Sequence, residues 1–159
     1  MFSSDTRRVK PETHRTLNTE HFPSVNMRLF AYGTLMVPSA LETVIGRRPE
    51  GAAAVLSGFA RYRILGEEFP GLIPCEGVMT DGVVYDGVDR RDLALTDRFE
   101  GAWYERTLVK VSRAGVRVDA YVYVVRPEYR DILSMEPWDL ERFVRRARKV
   151  SRCGTGSGA

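Results

Sequence analysis

RTLVKVSRAGVRVDAYVYVV, residues 106–125, alternates apolar and polar side chains on both sides of Arg113-Ala114-Gly115. A period of two places successive side chains on opposite faces of a strand, and Val116, Val118, Ala120, Val122 and Val124 share one face. The segment predicts a hairpin of two strands, Arg106–Ser112 and Val116–Val125, turning at the glycine. Upstream, Asp89 is placed to cap a helix running to about Asp97, with Asp92 in its first turn. Gly77–Thr80 and Val83–Val88 flank Asp81-Gly82, a dipeptide favoured in tight hairpin turns, and predict a second hairpin. FPGLIP at 69–74 reads as a turn-rich loop, and Ala52–Leu65 as a long strand that bends or bulges at Gly58.

The remaining elements follow from punctuation. Arg28–Tyr32 is a short apolar run ending in a Gly33 turn, so it reads as a buried first strand. PSALETVIG, residues 38–46, has Pro at the first helical position, apolar Leu41, Val44 and Ile45, and a stopping glycine. Pro127 begins a short helical stretch. Pro137 is read as opening a last helix whose Leu140, Phe143, Val144 and Ala147 form one apolar face. About six strands joined mostly by hairpins, with short helices and no strand–helix–strand rhythm, give an α+β fold. The natural arrangement is a small mixed, mostly antiparallel β-barrel with the helices flanking it.

Residues 1–26 contain six apolar residues without period and are expected to form a mobile arm. The patterned domain spans 27–150, and the Gly/Ser-rich 151–159 is expected to be a flexible tail. The pattern starts abruptly at Met27, which raises Met27 as an alternative translation start.

Composition removes several chemistries. Both histidines, His14 and His21, lie in the polar arm, so the domain has no imidazole for a Ser-His-Asp or Cys-His arrangement or for a histidine-ligated metal. Two cysteines, Cys75 and Cys153, make neither a disulfide framework nor a metal-ligand spacing. No apolar run approaches the roughly 18 residues of a membrane span, and no signal-peptide core is present, so a cytoplasmic protein is expected. From Glu141 onward six basic residues face one acid, within a net charge of +3. Such a patch can attract nucleic acid, but without interleaved aromatics it reads as the solvated face of a terminal helix, and nucleic acid is not expected as a partner. Carboxylates, tyrosines or backbone groups are left to do any chemistry.

Two segments can carry it. In LFAYGTLMVP, residues 29–38, a strand ends at Tyr32-Gly33-Thr34-Leu35 just ahead of a helix. Successive backbone N–H groups there can cradle an anion, or the corner is a plain connection. In DRFEGAWYERT, residues 97–107, Phe99 reads as a core anchor. The Glu100 carboxylate, beside Phe99, Trp103 and Tyr104, is either partly desolvated with a raised pKa or a surface glutamate at a helix end.

Taken in order, YGTL at 32–35, FPGLIP at 69–74, D-x-F-E-G at 97–101 and Y-x-R at 104–106 resemble the γ-glutamylcyclotransferase superfamily. The likeness is to its avirulence-induced-gene-like and γ-glutamylamine cyclotransferase branch, which EPWDLERF at 136–143 also resembles. It spans about Met27 to Phe143. Thr96 departs from it, since leucine usually precedes the aspartate. The resemblance implies a cofactor-free, metal-independent enzyme that cyclises a γ-glutamyl group to 5-oxoproline and releases an amine or amino acid. It implies Glu100 as general base and then acid, and Tyr32, Gly33, Thr34 and Leu35 as the substrate-holding segment. Tyr104 is a candidate hydrogen-bonding wall, with packing as the alternative. A non-catalytic ligand-binding or regulatory module on the same fold is the competing expectation, and the oligomeric state is open.

Overall fold

The computed structural model describes residues 27–145. The expectations for 1–26, for Ala147 and for 151–159 lie outside the described residues. Six strands run in chain order: β1 (Met27–Ala31), β2 (Gly51–Ile64), β3 (Pro70–Val88), β4 (Tyr104–Arg113), β5 (Val116–Val125) and β6 (Leu133–Pro137). Helix α1 is Pro38–Ile45 and helix α2 is Arg90–Glu100, with short 3-10 turns at Thr34–Met36 and Pro127–Ile132. The strand order β3-β1-β5-β4-β2 closes through β2–β3 pairing, and β6 adds to β2. Only β1–β5 is parallel, through Leu29 and Tyr121. A mixed, mostly antiparallel barrel with flanking helices is therefore what the chain adopts.

Alternation along the strands separates two cores. Phe30, Ala54, Leu56, Leu72, Val84, Val111, Ala120 and Val122 come only from strands and fill the barrel interior. On the other strand faces, Leu29, Ala31, Tyr85, Tyr123 and Val125 pack with Leu41 and Ile45 of α1 and Leu93 of α2. Each fully buried aliphatic side chain contributes roughly 1.5–3 kcal/mol, so the helices are held by this second layer rather than by propensity.

The β4–β5 hairpin turns at Ala114 and Gly115, both with positive φ (51° and 81°), as a two-residue turn of the primed class requires. Gly46 ends α1 in the left-handed region at φ 83°. Asp89 and Asp92 form a reciprocal capping box at the start of α2.

Four expectations are corrected. Asp81-Gly82 is not a turn: the β2–β3 pairing runs straight through it from Ala53 opposite Val83 to Leu56 opposite Thr80, with Ala54 facing Gly82 and Val55 facing Asp81 within one 19-residue strand. Gly82 is needed for a different reason, because a Cβ there would come within 2.3 Å of the Ala31 carbonyl oxygen where β1 crosses. FPGLIP is not a loop: from Pro70 onward it is β3, paired with β2 up to Pro74 opposite Phe59. The bend expected at Gly58 is present (φ 87°), with Cys75–Val78 of β3 bulging opposite it. Pro137 closes β6 instead of opening a helix; residues 140–145 are helical, and the Asp139 carboxylate accepts from the Glu141 N–H at their start. Finally, α2 runs past Asp97 to Glu100.

Candidate functional site

The end of β1 and the end of α2 meet over a cavity of about 240 Å³. Its walls include Tyr32, Gly33, Thr34 and Leu35 from the corner after β1, and Phe99, Glu100 and Tyr104 from the end of α2 and the start of β4. Phe69 and Pro70 close it from the start of β3, and Leu29–Ala31 form its floor. At this size, below the roughly 300–1,000 Å³ of drug-sized pockets, it suits a guest of amino-acid dimensions. All six residues singled out from the sequence thus line one cavity.

Glu100 is the last residue of α2, and Gly101, at φ 85°, turns the chain away from the helix toward β4. Among the described residues no hydrogen bond or ion pair reaches its carboxylate, and the cavity lining contains no lysine or arginine. The negative end of a helix gives a carboxylate no relief either. Burial among these walls pushes the Glu100 carboxyl from its ordinary 4.5 up to about 7.

The two tyrosines are neutral. Burial raises Tyr32 well above 10, with the nearby Tyr104 and Glu100 adding to the effect, and its hydroxyl donates to the Tyr123 carbonyl at 2.6 Å. Tyr104 is also raised, first by burial and then by the charges of Glu100 and Glu67, and its hydroxyl donates to the Pro70 carbonyl at 2.8 Å. Tyr104 therefore packs and lines the cavity at once: its donor is committed to the backbone, and its oxygen remains an acceptor.

The backbone corner is shaped by sterics. Gly33 is at φ −132°, so it is not selected for a left-handed conformation. A Cβ there would lie 2.8 Å from both Cγ and Cδ of Pro70, so glycine is what lets the corner close against β3. The first hydrogen bond of the following turn is Met36 N–H to Gly33 O at 2.9 Å, which leaves the preceding N–H groups outside that turn's own bonding. Tyr85 holds the turn in place, its hydroxyl donating to Leu35 O at 2.7 Å.

Asp97, one turn before Glu100, fixes the helix end. Arg106 Nε donates to Asp97 Oδ1 at 2.8 Å, and the Tyr123 hydroxyl donates to the same oxygen at 2.6 Å. Thr96, 1% exposed, has its hydroxyl 2.7 Å from that of Tyr123, so threonine at this position joins the clamp. The D-x-F-E-G and Y-x-R motifs are thus one unit: an ion pair from β4 holding the turn that carries Glu100.

Three residues differ from expectation. Phe99 is 51% exposed and forms the rim of the cavity, since it lies in the last turn of α2, beyond Leu93 and Thr96, where the helix ends over the cavity. Phe69 and Pro70 were missed as lining, since their segment reads as a loop; Pro70 beside a glycine requirement at Gly33 has no signal in a linear sequence. Among the described residues no group of three His, Cys, Asp or Glu side chains is placed to hold a metal. Nor is any helix among them long and apolar enough to cross a membrane.

Comparison with known proteins follows the same lines. The family model described as gamma-glutamyl cyclotransferase, AIG2-like, matches residues 29–140. An AIG2-like protein C of Arabidopsis thaliana is 32% identical over 130 residues, covering 76% of this chain and 76% of that protein. A solution structure from Arabidopsis thaliana superposes with a TM-score of 0.65 at 27% identity, over 83% of this chain and 81% of that one. A crystal structure of an AIG2-like protein from Mus musculus gives 0.53 at 25% identity, over 72% and 89%.

Proposed function

The chain belongs to the gamma-glutamyl cyclotransferase, AIG2-like family, and on that premise we propose that it cyclises a γ-glutamyl group to 5-oxoproline, with Glu100 moving the proton. The observation that carries the reading is an unpaired carboxylate raised to about 7, sharing an amino-acid-sized cavity with the Tyr32–Leu35 backbone.

The reaction asks little of a protein lacking histidine in its domain. The substrate's own α-amine is the nucleophile and its γ-carbonyl the electrophile, so closing a five-membered ring is a proximity reaction. Effective molarities on the order of 10⁵ M or more become available once the chain is held curled. Gly33, Thr34 and Leu35 N–H groups hold the α-carboxylate, and the ring faces of Tyr32 and Tyr104 limit the ways the guest can fold. Glu100 takes a proton from the α-ammonium, the freed amine attacks the γ-carbon, and the C–N bond to the leaving amine breaks as Glu100 returns the proton to it. The ring nitrogen sheds a second proton, which leaves it as the lactam N–H, and that proton ends on the departing amine as its ammonium.

The raised carboxyl matters quantitatively. An α-ammonium has a pKa of roughly 8, so deprotonation by an ordinary glutamate is uphill by about 5 kcal/mol, at about 1.4 kcal/mol per pKa unit. From a carboxyl near 7 the same step costs about 1–2 kcal/mol, and the group still gives the proton back readily. A module that only binds on this fold has no use for an unpaired, desolvated carboxylate, which favours turnover over the non-catalytic reading. Localisation in the cytoplasm fits a reaction on small soluble γ-glutamyl compounds.

The test is a screen for released 5-oxoproline over γ-glutamyl-lysine, γ-glutamyl-amino acids and glutathione. Release from at least one compound is expected; binding without release across the panel supports the non-catalytic module instead.

A further inference from the structure

Arg61 of β2 does not line the cavity, yet it touches the corner that does. Its Nη1 donates to the Tyr32 carbonyl at 2.8 Å and to the Asp81 carbonyl at 3.0 Å, and its Nη2 donates to Asp81 Oδ1 at 3.0 Å. The side chain is only 14% exposed, and the guanidinium sits over the Trp138 ring, 5.4 Å from its centroid. Trp138 in turn donates from Nε1 to the Glu68 carbonyl at 2.7 Å, next to Phe69 on the opposite wall. Trp138 is the tryptophan of the EPWDL segment, which the reaction itself leaves without a role.

The contact with Tyr32 O has a consequence one bond further on. All described peptides are trans, so the Tyr32 carbonyl and the Gly33 N–H of the same peptide point in opposite directions. Glycine lets a peptide plane rotate more freely than any other residue. A rotated Tyr32–Gly33 peptide would turn a carbonyl dipole toward a bound carboxylate in place of a donor. Among the described residues no cation lines the cavity to offset that repulsion. We propose that Arg61 is a positioning residue: by holding the Tyr32 carbonyl outside the cavity, it keeps the Gly33 N–H aimed inward at a ligand carboxylate. A cation behind the carbonyl also polarises the peptide and strengthens its N–H as a donor. The proposal rests on the reading of the Tyr32–Leu35 corner as the carboxylate cradle.

The test compares 5-oxoproline with 5-oxoprolinamide, which lacks the carboxylate, on the wild-type protein and on Arg61→Ala, Arg61→Lys and Asp81→Ala. Binding is followed by amide NMR titration, and 5-oxoproline formation by steady-state kinetics on the best γ-glutamyl substrate. In the wild type the Gly33 amide resonance moves on adding 5-oxoproline. Arg61→Ala is expected to weaken 5-oxoproline on the order of 10-fold or more, with the amide affected less than about 3-fold and KM rising while kcat stays within about 3-fold. Arg61→Lys, which keeps charge but not the two-point fork, falls between. Asp81 is 76% exposed, so Asp81→Ala folds even if the Arg61 variants do not, and it gives a smaller loss in the same direction. An unchanged ratio of the two affinities in the folded variants, or a wild-type Gly33 amide indifferent to 5-oxoproline, overturns the positioning role while leaving turnover intact. Absence of both 5-oxoproline binding and 5-oxoproline formation in the wild type removes the cyclotransferase reading itself.

Discussion

Replacing Glu100 with glutamine should stabilise the protein, and by an amount that depends on pH. Glutamine has the shape of a protonated glutamate and no charge to desolvate. In the wild type, burial raises the folded-state carboxyl from 4.5 to about 7, whereas the unfolded chain keeps the ordinary value. Between these values the folded state binds more protons than the unfolded state, so stability falls as pH rises through that window. The favourable contribution is fully present below about 4.5 and lost above about 7. Two and a half pKa units correspond to about 3 kcal/mol. Glu100→Gln removes this dependence, so the variant should match the wild type near pH 4 and exceed it by up to about 3 kcal/mol at pH 8. For a chain of this length that is roughly 6–12 °C in Tm. Thermal or urea unfolding of both proteins from pH 4 to 8.5 measures it, and every other titrating group cancels in the difference. Two curves that run parallel across that range would refute the claim that burial perturbs Glu100.

The pH profile of kcat/KM should rise through an apparent pKa near 7, because protonating Glu100 below that value removes the base; a limb near 4.5 would mean an ordinary carboxylate. Gly33→Val places side-chain atoms where even a Cβ lies 2.8 Å from Pro70, so 5-oxoproline affinity should fall at least 10-fold together with Tm; retention of both argues against the cradle. Desolvation pushes Asp97 up, but the hydrogen bonds from Arg106 and Tyr123 and the Arg106 charge hold it below its ordinary value. Its contribution is therefore present above about pH 4 and lost as pH falls through the folded value. With the side chain 43% exposed, Asp97→Asn should cost about 1 kcal/mol at pH 7 and progressively less in acid, read by denaturant unfolding.

Much of the barrel is legible in local pattern, because β5 alternates cleanly and α1 carries both its proline start and its glycine stop. What escapes is whatever a second strand imposes. Asp81-Gly82 has the composition of a turn, yet Gly82 is there because the Ala31 carbonyl passes where its side chain would be. Likewise Pro70 and Pro74 suggest a loop, although β3 tolerates them at its start and beside a bulge. Within the site, Glu100 and the 32–35 corner are recognisable because their motifs are contiguous. Phe99 is misjudged, since hydrophobicity suggests burial and only the cavity at the end of α2 shows it as a rim. Arg61 gives no linear signal at all; its meaning lies in a carbonyl 29 residues away.

The most direct measurement is 5-oxoproline formation by the wild type and by Glu100→Gln, on the same γ-glutamyl substrate with binding checked in parallel. The variant should bind the substrate and lose turnover by roughly 10²–10⁴-fold, the range a positioned acid–base supplies. Turnover within a few-fold of wild type would mean that the proton travels by another route and that the cavity works without this carboxylate.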